Sequence, residues 1–376
     1  MAGTATTATT ATGSLDRGAL RKLIASKRAT AMQRSLAALR LTYSEDHTLL
    51  VNSIHQLHGL ERIYPKHYPG QASGRTSTID PPITNWPRAC VNQHCPRGEH
   101  EWTKECWSIR DIQLPDEGEI LLTFDHDNIE GKIHDLIVGD TVALEAHEQG
   151  YDLHTITCCT LFNLPLPQDL RNPHSSAVDA DWRRQSAWQG KDTKRRVLAK
   201  NFNHGSKYSR NEYFVYKIAG IETYGLSTAE LRRHARTYIA SKGAAWTRKL
   251  RIMDDIRHSR IARTLYGFRR MFYDSSEDTG KEGFSHMVSG TVSDYNNLTI
   301  ALMHDWLGEE VRLLHNAHDG DKFAITRAFV QREYLDKGLT IESFLDDSRA
   351  IIERPIEYEG RSLTMTAGVK VVGWKV

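Results

Sequence analysis

Two hydrophobic segments that lie far apart in the chain each end on an aspartate. The first runs from Glu119 through Phe124 to Asp125, and the second runs from Val311 to Asp319. A buried strand that stops on a carboxylate leaves that carboxylate at the edge of its sheet. The sequence therefore predicts that the two strands lie side by side and bring Asp125 and Asp319 to one edge. A few such strands among long helical segments indicate an α+β fold.

Carboxylates gathered at one sheet edge could hold metal ions. Mg²⁺ prefers hard oxygen ligands, so Asp125 and Asp319 suit it better than His or Cys side chains would. Two such ions, about 3.5–4 Å apart, are the apparatus of phosphoryl transfer. Aspartate is also common in turns, and either residue alone could be an ordinary turn residue. The neighbouring motifs therefore decide between the two interpretations.

Charge and cysteine content restrict the class of protein. The chain has 376 residues, with 49 Lys and Arg against 47 Asp and Glu, so its net charge does not by itself indicate a nucleic-acid-binding protein. Basic residues do cluster locally, at 191–200 and 246–251. The 5 cysteines are few and unevenly placed, which favours a reducing cytosol over a disulfide framework. No segment approaches the roughly 20 apolar residues of a membrane span, so we expect no membrane contact.

Periodicity and capping residues predict the main elements. Apolar residues at helical spacing cover 15–41, and Ser227 to Glu230 form a capping box that opens a long helix towards Ile256. The Asp-Gly pair at 319–320 is a strong turn signal, so 311–325 is expected to be a hairpin. The other expected elements are helices at 153–162, 192–206 and 290–306 and strands at 119–124 and 363–372.

One of these helices carries a stripe of basic and aromatic residues. Arg196, Lys200, His204 and Tyr208 follow at steps of four, each about 400° around a helix, so they form one slowly drifting face. Their span of about 18 Å is close to the length of a nucleoside triphosphate. Basic residues near a helix start oppose the helix dipole, which is a cost unless an anion sits there. The alternative is a solvated basic face.

Several segments of the chain resemble the characteristic motifs of family A DNA polymerases. Asp125 and Glu130 stand in the segment that matches motif A, the helix with Arg196 matches motif B, and Asp319 stands in motif C. The matching segments are 73–78, 80–87, 125–132, 150–155, 196–208, 289–294 and 318–320. They follow the family's order over roughly residues 20–376, and the ordered series is far more specific than any one motif.

The resemblance implies a right-hand polymerase, an α+β fold with an antiparallel sheet in the palm and with helical fingers. The implied division has residual thumb and palm-entry helices at 15–60, a first part of the palm at 61–150, fingers at 151–257 and a second part of the palm at 258–376. Two further segments are specific to this sequence: a Thr- and Ala-rich start, 1–14, which we expect to be a disordered leader, and a Cys/His insertion at 88–108 within the first part of the palm.

The resemblance also implies roles for single residues. Asp125 and Asp319 are implied Mg²⁺ ligands, and Lys200 is implied to protonate the leaving pyrophosphate. Glu130 is implied to be the steric gate that excludes a ribose 2′-hydroxyl. The implied nucleotide contacts are Arg196, Lys200 and His154 at the triphosphate, His204 at the sugar, and Tyr208 beneath the templating base or primer terminus, and the implied DNA contacts are Arg75, Asn85 and His318.

The chain departs from the family at several motif positions. His204 replaces a Phe or Tyr that senses the sugar, although an imidazole can still stack there. Gly320 replaces a Glu, and either Asp321 could substitute for it or a simple turn could suffice. Ser289 replaces a Gln that reads the duplex, and Lys132 replaces an Arg, which is not equivalent at a bidentate site.

The implied function is template-directed addition of dNTPs to a primer 3′ end by two-metal-ion phosphoryl transfer, without a proofreading exonuclease of its own. A separate chain could supply the thumb, exonuclease or processivity function. The expected location is cytoplasmic, in the nucleoid or in a phage-infected host. One alternative is a single-subunit phage-type RNA polymerase, against which Glu130 argues. The other is a non-catalytic remnant that binds primer-template. The residues that argue against it are the intact Asp125, Asp319, Arg196 and Lys200.

A short polar segment could also bind zinc. Its candidate ligands are Cys90, Cys95, His100 and Cys106, a set of three thiols and one imidazole that suits tetrahedral coordination. The spacing is looser than in the usual paired-cysteine sites, and His94 is a rival ligand. The alternative is a surface loop with reduced cysteines.

Overall fold

The computed structural model describes residues 20, 23–24, 29–49, 57, 63, 65–68, 77–79, 83, 113–166, 193–214, 226–316 and 319–372. The helices are α1 Ala31–Leu49, α2 Ile129–Val138, α3 Thr141–Glu148, α4 Leu153–Phe162, α5 Thr193–Ser206, α6 Thr228–Ser259, α7 Glu277–Leu307, α8 Arg327–Glu333 and α9 Ile341–Ile352. The strands are β1 Lys66–Tyr68, β2 Ser77–Ile79, β3 Glu119–His126, β4 Ile261–Arg263, β5 Arg269–Met271, β6 Val311–Asn316, β7 Asp321–Thr326, β8 Pro355–Tyr358, β9 Arg361–Thr364 and β10 Ala367–Val372. This mixture of long helices and antiparallel strands confirms the predicted α+β class.

A four-stranded sheet in the order β10-β3-β7-β6 stands at the centre of the fold, and every neighbouring pair in it is antiparallel. Leu122 of β3 lies opposite Phe323 of β7, and Phe124 lies opposite Val369 of β10. The prediction that the two strands lie side by side is wrong, because β7 separates β6 from β3 in the sheet. The expected hairpin of β6 and β7 is present, and β7 pairs directly with β3, so the turn of that hairpin still lies beside the end of β3.

Helices cover this sheet with an apolar core. Ile120 and Leu122 of β3 and Phe323 of β7 are buried together with Met303 of α7 and Phe344 of α9. Burying side chains of this size contributes roughly 1.5–3 kcal/mol each relative to leaving them exposed. Strand β3, which carries Asp125 next to its last residue, is thus held firmly by this core.

A second core joins α2 to the long helices. Ile133 and Leu136 of α2 pack with Met253 of α6 and Val288 of α7. Tyr295 of α7 ties this core to the end of α9, since its hydroxyl donates to the carbonyl of Ile352 at 2.7 Å. The start of α2, which follows β3 directly, therefore has a fixed position beside the sheet edge.

A third core positions α5. Leu198 and Phe202 of α5 are buried with Cys158 of α4 and Tyr238 of α6. The opposite face of α5 carries Lys200, which is exposed. Helix α5 is thus amphipathic. Its apolar face packs against α4 and α6, and the exposed Lys200 belongs to the predicted basic stripe.

Most element bounds follow the sequence pattern, with some corrections. Helix α4 spans the predicted 153–162, and the capping box that opens α6 is present, with Glu230 N donating to the Ser227 hydroxyl at 3.3 Å. Helix α7 begins at Glu277, well before the predicted 290. The prediction of one strand over 363–372 is wrong, because β9 and β10 are separate strands. Among the described residues, no helix combines the length and apolar character needed to cross a membrane.

Candidate active site

The structure brings Asp125 and Asp319 together at one edge of the central sheet. The backbone N–H of His126 donates to the Asp319 carbonyl at 2.6 Å, so the end of β3 and the turn before β7 are in direct contact. Asp125 is exposed and Asp319 is half-buried. Two carboxylate residues from distant parts of the chain therefore meet at a solvent-accessible edge, as the sequence predicted.

Gly320 makes this close approach possible. A Cβ atom at this position would lie 2.0 Å from the carbonyl oxygen of Phe124 and 2.9 Å from the Cα of Asp125. Both are backbone atoms, so no side chain, including the Glu expected by resemblance, fits without moving a strand. Asp321, the other candidate for that carboxylate, is only 2% exposed at the start of β7. Of the two interpretations of Gly320, the structure therefore favours a simple turn over a carboxylate supplied by Asp321.

The residues at this edge fit Mg²⁺ bound together with a substrate. No group of three or more His, Cys, Asp or Glu side chains is gathered within the described ranges, so there is no all-protein metal cage among them. Mg²⁺ is usually held by one or two carboxylates and completes its shell with water and substrate phosphates. Asp125 and Asp319 offer that kind of donor set.

A polar cluster anchors the start of α2 to β10. Lys132 Nζ donates to the hydroxyl of Thr366 at 2.6 Å, and that hydroxyl donates to Asp127 at 3.2 Å. Lys132 is buried, which lowers its pKa, while the carboxylates of Asp127 and Glu353 oppose that shift. Lys132 therefore acts as an internal tie between α2 and the sheet.

A cleft of about 370 Å³ opens beside this cluster, between the starts of α2 and α4 and one face of α5. Arg196 of α5 lines it and donates to Asp152 with two nitrogens, at 2.7 and 2.8 Å. Asp152 in turn caps α4 by accepting from Thr155 N at 3.0 Å. The anion expected near the start of α5 is thus a carboxylate of the chain itself, and the guanidinium keeps further donors for a ligand.

His154, on the first turn of α4, also lines the cleft. Its Nδ1 accepts from the Asn203 amide nitrogen at 2.9 Å, and the Asn203 oxygen accepts from Thr157 at 3.1 Å. Burial, with the nearby Arg196 cation, lowers the pKa of His154 to about 3. At neutral pH the ring is therefore uncharged and carries its proton on Nε2.

His204 lies next to His154, with ring centroids 5.5 Å apart. Burial and the neighbouring cations Lys207 and Lys200 lower its pKa to about 4. The aromatic end of the stripe thus presents a neutral imidazole beside a second neutral imidazole.

Tyr208 and Glu130 form a direct contact across the site. Tyr208 lies just beyond the end of α5 at Ser206, and its hydroxyl donates to the Glu130 carboxylate on α2. The Tyr208 ring also contacts Phe284 of α7 edge-on, with ring centroids 6.3 Å apart. The structure therefore joins Glu130 of one motif to Tyr208 of another.

Comparisons with known proteins agree with this geometry. No family model matches the chain. Over 295 residues the chain is 25% identical to the protein "DNA polymerase I, thermostable" of Thermus aquaticus. The matched region covers 76% of this chain and 30% of that protein. The chain is 24% identical over 301 residues to DNA polymerase I of Pseudomonas aeruginosa, covering 76% of this chain and 28% of that protein.

A solved structure extends the likeness to nearly the whole chain. It is the POL domain of Pol1 from M. smegmatis in complex with DNA primer-template and dNTP, with a TM-score of 0.68, 20% identity, and coverage of 97% of this chain and 57% of that chain. The chain has the fold of a family A DNA polymerase. It spans about a third of the length of the curated relatives it matches.

Some residues that a family A resemblance implicates lie outside the described residues. These are Arg75, Asn85 and His318 and the zinc candidates Cys90, Cys95, His100 and Cys106. Conversely, the sequence reasoning gave no role to Asp152, Asn203 or Lys207, which the structure places beside the site. All three lie inside the matching segments 150–155 and 196–208, so motif position was a usable signal for them.

Proposed function

We propose that this chain is a template-directed DNA polymerase that adds dNTPs to a primer 3′ end. The observation that carries this proposal is the meeting of Asp125 and Asp319 at one sheet edge, beside a cleft lined by Arg196 and His154. Its relatives in sequence are DNA polymerases I, and the structurally similar POL domain was solved with primer-template DNA and dNTP.

In this proposal the central sheet is the palm and the helices from α4 to α6 are the fingers. The domain bounds of the sequence analysis are kept: residues 61–150 and 258–376 for the palm, 151–257 for the fingers, and 15–60 for the residual thumb. The cores support part of this division, since α4, α5 and the first part of α6 share one apolar cluster and the sheet has another. The second part of α6 packs instead with α2 and α7.

Asp125 and Asp319 would hold two Mg²⁺ ions. When bound, such ions lower the pKa of the attacking 3′-hydroxyl and neutralise charge on the leaving pyrophosphate. The chain itself supplies the spacing of the two carboxylates, which is set by the backbone contact between His126 and Asp319 and by the absence of a side chain at Gly320.

Arg196, Lys200 and His154 would bind the triphosphate. Arg196 is held in place by Asp152, so little side-chain entropy is lost when its remaining donors meet a phosphate. His154 would donate from Nε2 because Asn203 occupies Nδ1. Lys200 is exposed on the same face of α5, where it would protonate the leaving pyrophosphate.

His204, Tyr208 and Glu130 would recognise the sugar and base. His204 would lie against the sugar, and Tyr208 beneath the templating base or primer terminus. Glu130 is held by Tyr208, and a carboxylate at this place would clash with a ribose 2′-hydroxyl. The contact between these two residues favours a DNA polymerase over the phage-type RNA polymerase alternative.

Other parts of the proposal concern residues or partners beyond the described structure. Arg75, Asn85 and His318 are proposed to contact the DNA. Action in the cytoplasm, absence of exonuclease activity in this chain, and a separate chain that supplies thumb or processivity function stay predictions. Zinc binding by the Cys/His segment also stays a prediction, because its candidate ligands lie outside the described residues.

Primer extension with the purified chain tests the proposal. We expect templated addition of dNTPs that requires Mg²⁺, is much weaker with rNTPs, and is abolished in Asp319→Ala while primer-template binding remains. Binding without extension in the wild-type chain would indicate the non-catalytic remnant. Preferential use of rNTPs would indicate the RNA polymerase. Full extension by Asp319→Ala would refute its role.

A further inference from the structure

A chain of three side chains leads from the contact between α4 and α5 to the cleft. Thr157 of α4 and Asn203 of α5 are both buried, each 6% exposed, and His154 on the first turn of α4 lines the cleft. The Thr157 hydroxyl donates to the Asn203 side-chain oxygen at 3.1 Å, and the Asn203 side-chain nitrogen lies 2.9 Å from Nδ1 of His154. Because Thr157 follows His154 by three positions, both lie on one face of α4, and Asn203 bridges them from α5.

The single proton of the His154 ring decides what this ring can bind. Burial lowers the pKa of His154 to about 3, so at neutral pH one ring nitrogen donates a hydrogen bond and the other accepts one. No described residue hydrogen-bonds to Nε2, which leaves this nitrogen to a ligand. With the proton on Nε2, the ring can donate to a phosphate oxygen. With the proton on Nδ1, Nε2 would present a lone pair and repel that oxygen.

The Asn203 amide sets the position of this proton. Its NH₂ group faces Nδ1 of His154, so Nδ1 accepts and Nε2 carries the proton. The two ends of an amide are nearly the same size, so a half-turn of the amide would fit the same space. The amide oxygen would then face Nδ1 and draw the proton to that nitrogen. The orientation of Asn203 is therefore equivalent to a choice of tautomer at His154.

Thr157 makes the two orientations of Asn203 unequal. Its hydroxyl donates to the Asn203 oxygen, and it has no second hydrogen-bond partner among the described residues. After a half-turn of the amide, the hydroxyl would face the NH₂ group, and its own proton would be left without an acceptor at a buried position. An unsatisfied buried donor is costly. Thr157 thus favours the orientation in which the NH₂ group faces His154.

From this geometry we infer that Thr157 is a positioning residue for triphosphate binding: acting through the Asn203 amide, its hydroxyl keeps the proton of His154 on Nε2, where it can be donated to a phosphate. The inference rests on the proposed polymerase function. It assigns a role to a buried residue outside the matching segments, whose side chain acts on the ligand only through two others.

The position of the proton can be measured directly. Nitrogen NMR of the full chain with isotope-labelled histidine distinguishes a protonated from an unprotonated ring nitrogen, and the His154 signals are those that disappear in His154→Gln. At neutral pH we expect the wild type to carry the proton on Nε2. Thr157→Val has nearly the same shape but cannot donate, so either orientation of Asn203 leaves one end of the amide unsatisfied. We therefore expect a mixture of the two tautomers in this variant.

Single-turnover primer extension measures the consequence for nucleotide binding. If only one tautomer binds the triphosphate, the Kd for a dNTP rises by the inverse of the fraction of chains in that tautomer. We therefore expect the Kd of Thr157→Val to rise by the inverse of the fraction that the NMR signals give, about twofold for an equal mixture. Thr157→Ser, which restores the hydroxyl, should return both the spectrum and the Kd to the wild-type values.

The matched control is Thr160→Val on the same helix. Thr160 is exposed, and its hydroxyl donates to the carbonyl of Ile156 at 3.0 Å, away from Asn203. The variant makes the same chemical change in α4 without touching the chain of side chains that ends at His154. We expect it to keep the wild-type spectrum and the wild-type Kd.

Each result has a defined meaning. A wild-type chain that does not extend primers contradicts the proposed function, whatever its spectrum. In a chain that does extend primers, three results overturn the inference alone: a wild-type proton on Nδ1, an unchanged spectrum in Thr157→Val, or a changed spectrum with an unchanged Kd. Thr157→Ala replaces Thr157→Val if that variant does not fold. Failure of both variants to fold also overturns the inference, because it makes Thr157 a purely structural residue.

Discussion

At the scale of single residues, the sequence showed which side chains suit a metal ion or a phosphate, but it did not show which side chains contact each other. The motifs identified Asp125, Asp319 and Arg196 as candidates because carboxylates suit Mg²⁺ and a guanidinium suits phosphate. They did not reveal that Arg196 is already engaged by Asp152, 44 positions earlier in the chain. Such a partner follows from how α4 packs on α5, which no local pattern encodes.

Gly320 provides a sharp test at this scale. In Gly320→Ala the new methyl would meet the backbone of Phe124 and Asp125, so the turn must move and carry Asp319 with it. Since a misplacement of about 1 Å at a reacting centre can lower the rate about 100-fold, we expect a loss of that order in primer extension. Primer-template binding, measured by fluorescence anisotropy, should be nearly unchanged.

The matched control for this change is Gly368→Ala on β10. A Cβ atom there meets no atom within 4 Å, although Gly368 lies opposite Asp125 in the sheet. We expect this variant to extend primers like the wild type. Equal activity of the two variants would mean that the close approach at Gly320 has no importance for the site.

At the scale of elements, the bounds of α4 and α5 were predictable, whereas the start of α7 and the break between β9 and β10 were not. Helix α4 has the predicted bounds, and its cap, Asp152, lies directly before its first residue. The break between β9 and β10 was missed, since 363–372 alternates like one strand. There Met365 is fully buried and Thr366 binds Lys132 of α2, more than 200 residues earlier in the chain. Long-range partners of this kind override a local period.

The substitution Thr366→Val tests how much the contact at this break contributes to the stability of the fold. Valine has a similar shape but accepts no hydrogen bond, so the buried Lys132 ammonium loses its contact with the Thr366 hydroxyl. Losing a hydrogen bond to a charged group costs about 1.5–3 kcal/mol, and we expect the free energy of unfolding to fall by about that amount. Urea denaturation measures it. Thr364→Val, at an exposed site on β9, should have almost no effect.

At the scale of the whole molecule, the fold places its candidate site where separate cores meet. The sheet core holds Asp125, the core of α2, α6 and α7 holds Glu130, and the core of α4, α5 and α6 holds Arg196 and His204. The order of the motifs, which resembles that of a known family, predicted that these residues form one site. It could not predict the buried charges Lys207 and Asp135 between those cores, because isolated charged residues read as surface positions.

Several histidines in this region are uncharged when the chain is folded, and this makes stability depend on pH. Burial holds the pKa of His154 at about 3, against an ordinary value of 6.5, so the unfolded chain takes up a proton first as pH falls. Stability is therefore full above pH 6.5 and is lost progressively below it. At about 1.4 kcal/mol per pH unit, His154 contributes about 2 kcal/mol of that loss between pH 7 and pH 5. Urea denaturation of His154→Gln, which can still accept from Asn203, should show a loss smaller by about that amount. An identical pH dependence in the variant and the wild type would mean that His154 is not held neutral in the folded chain.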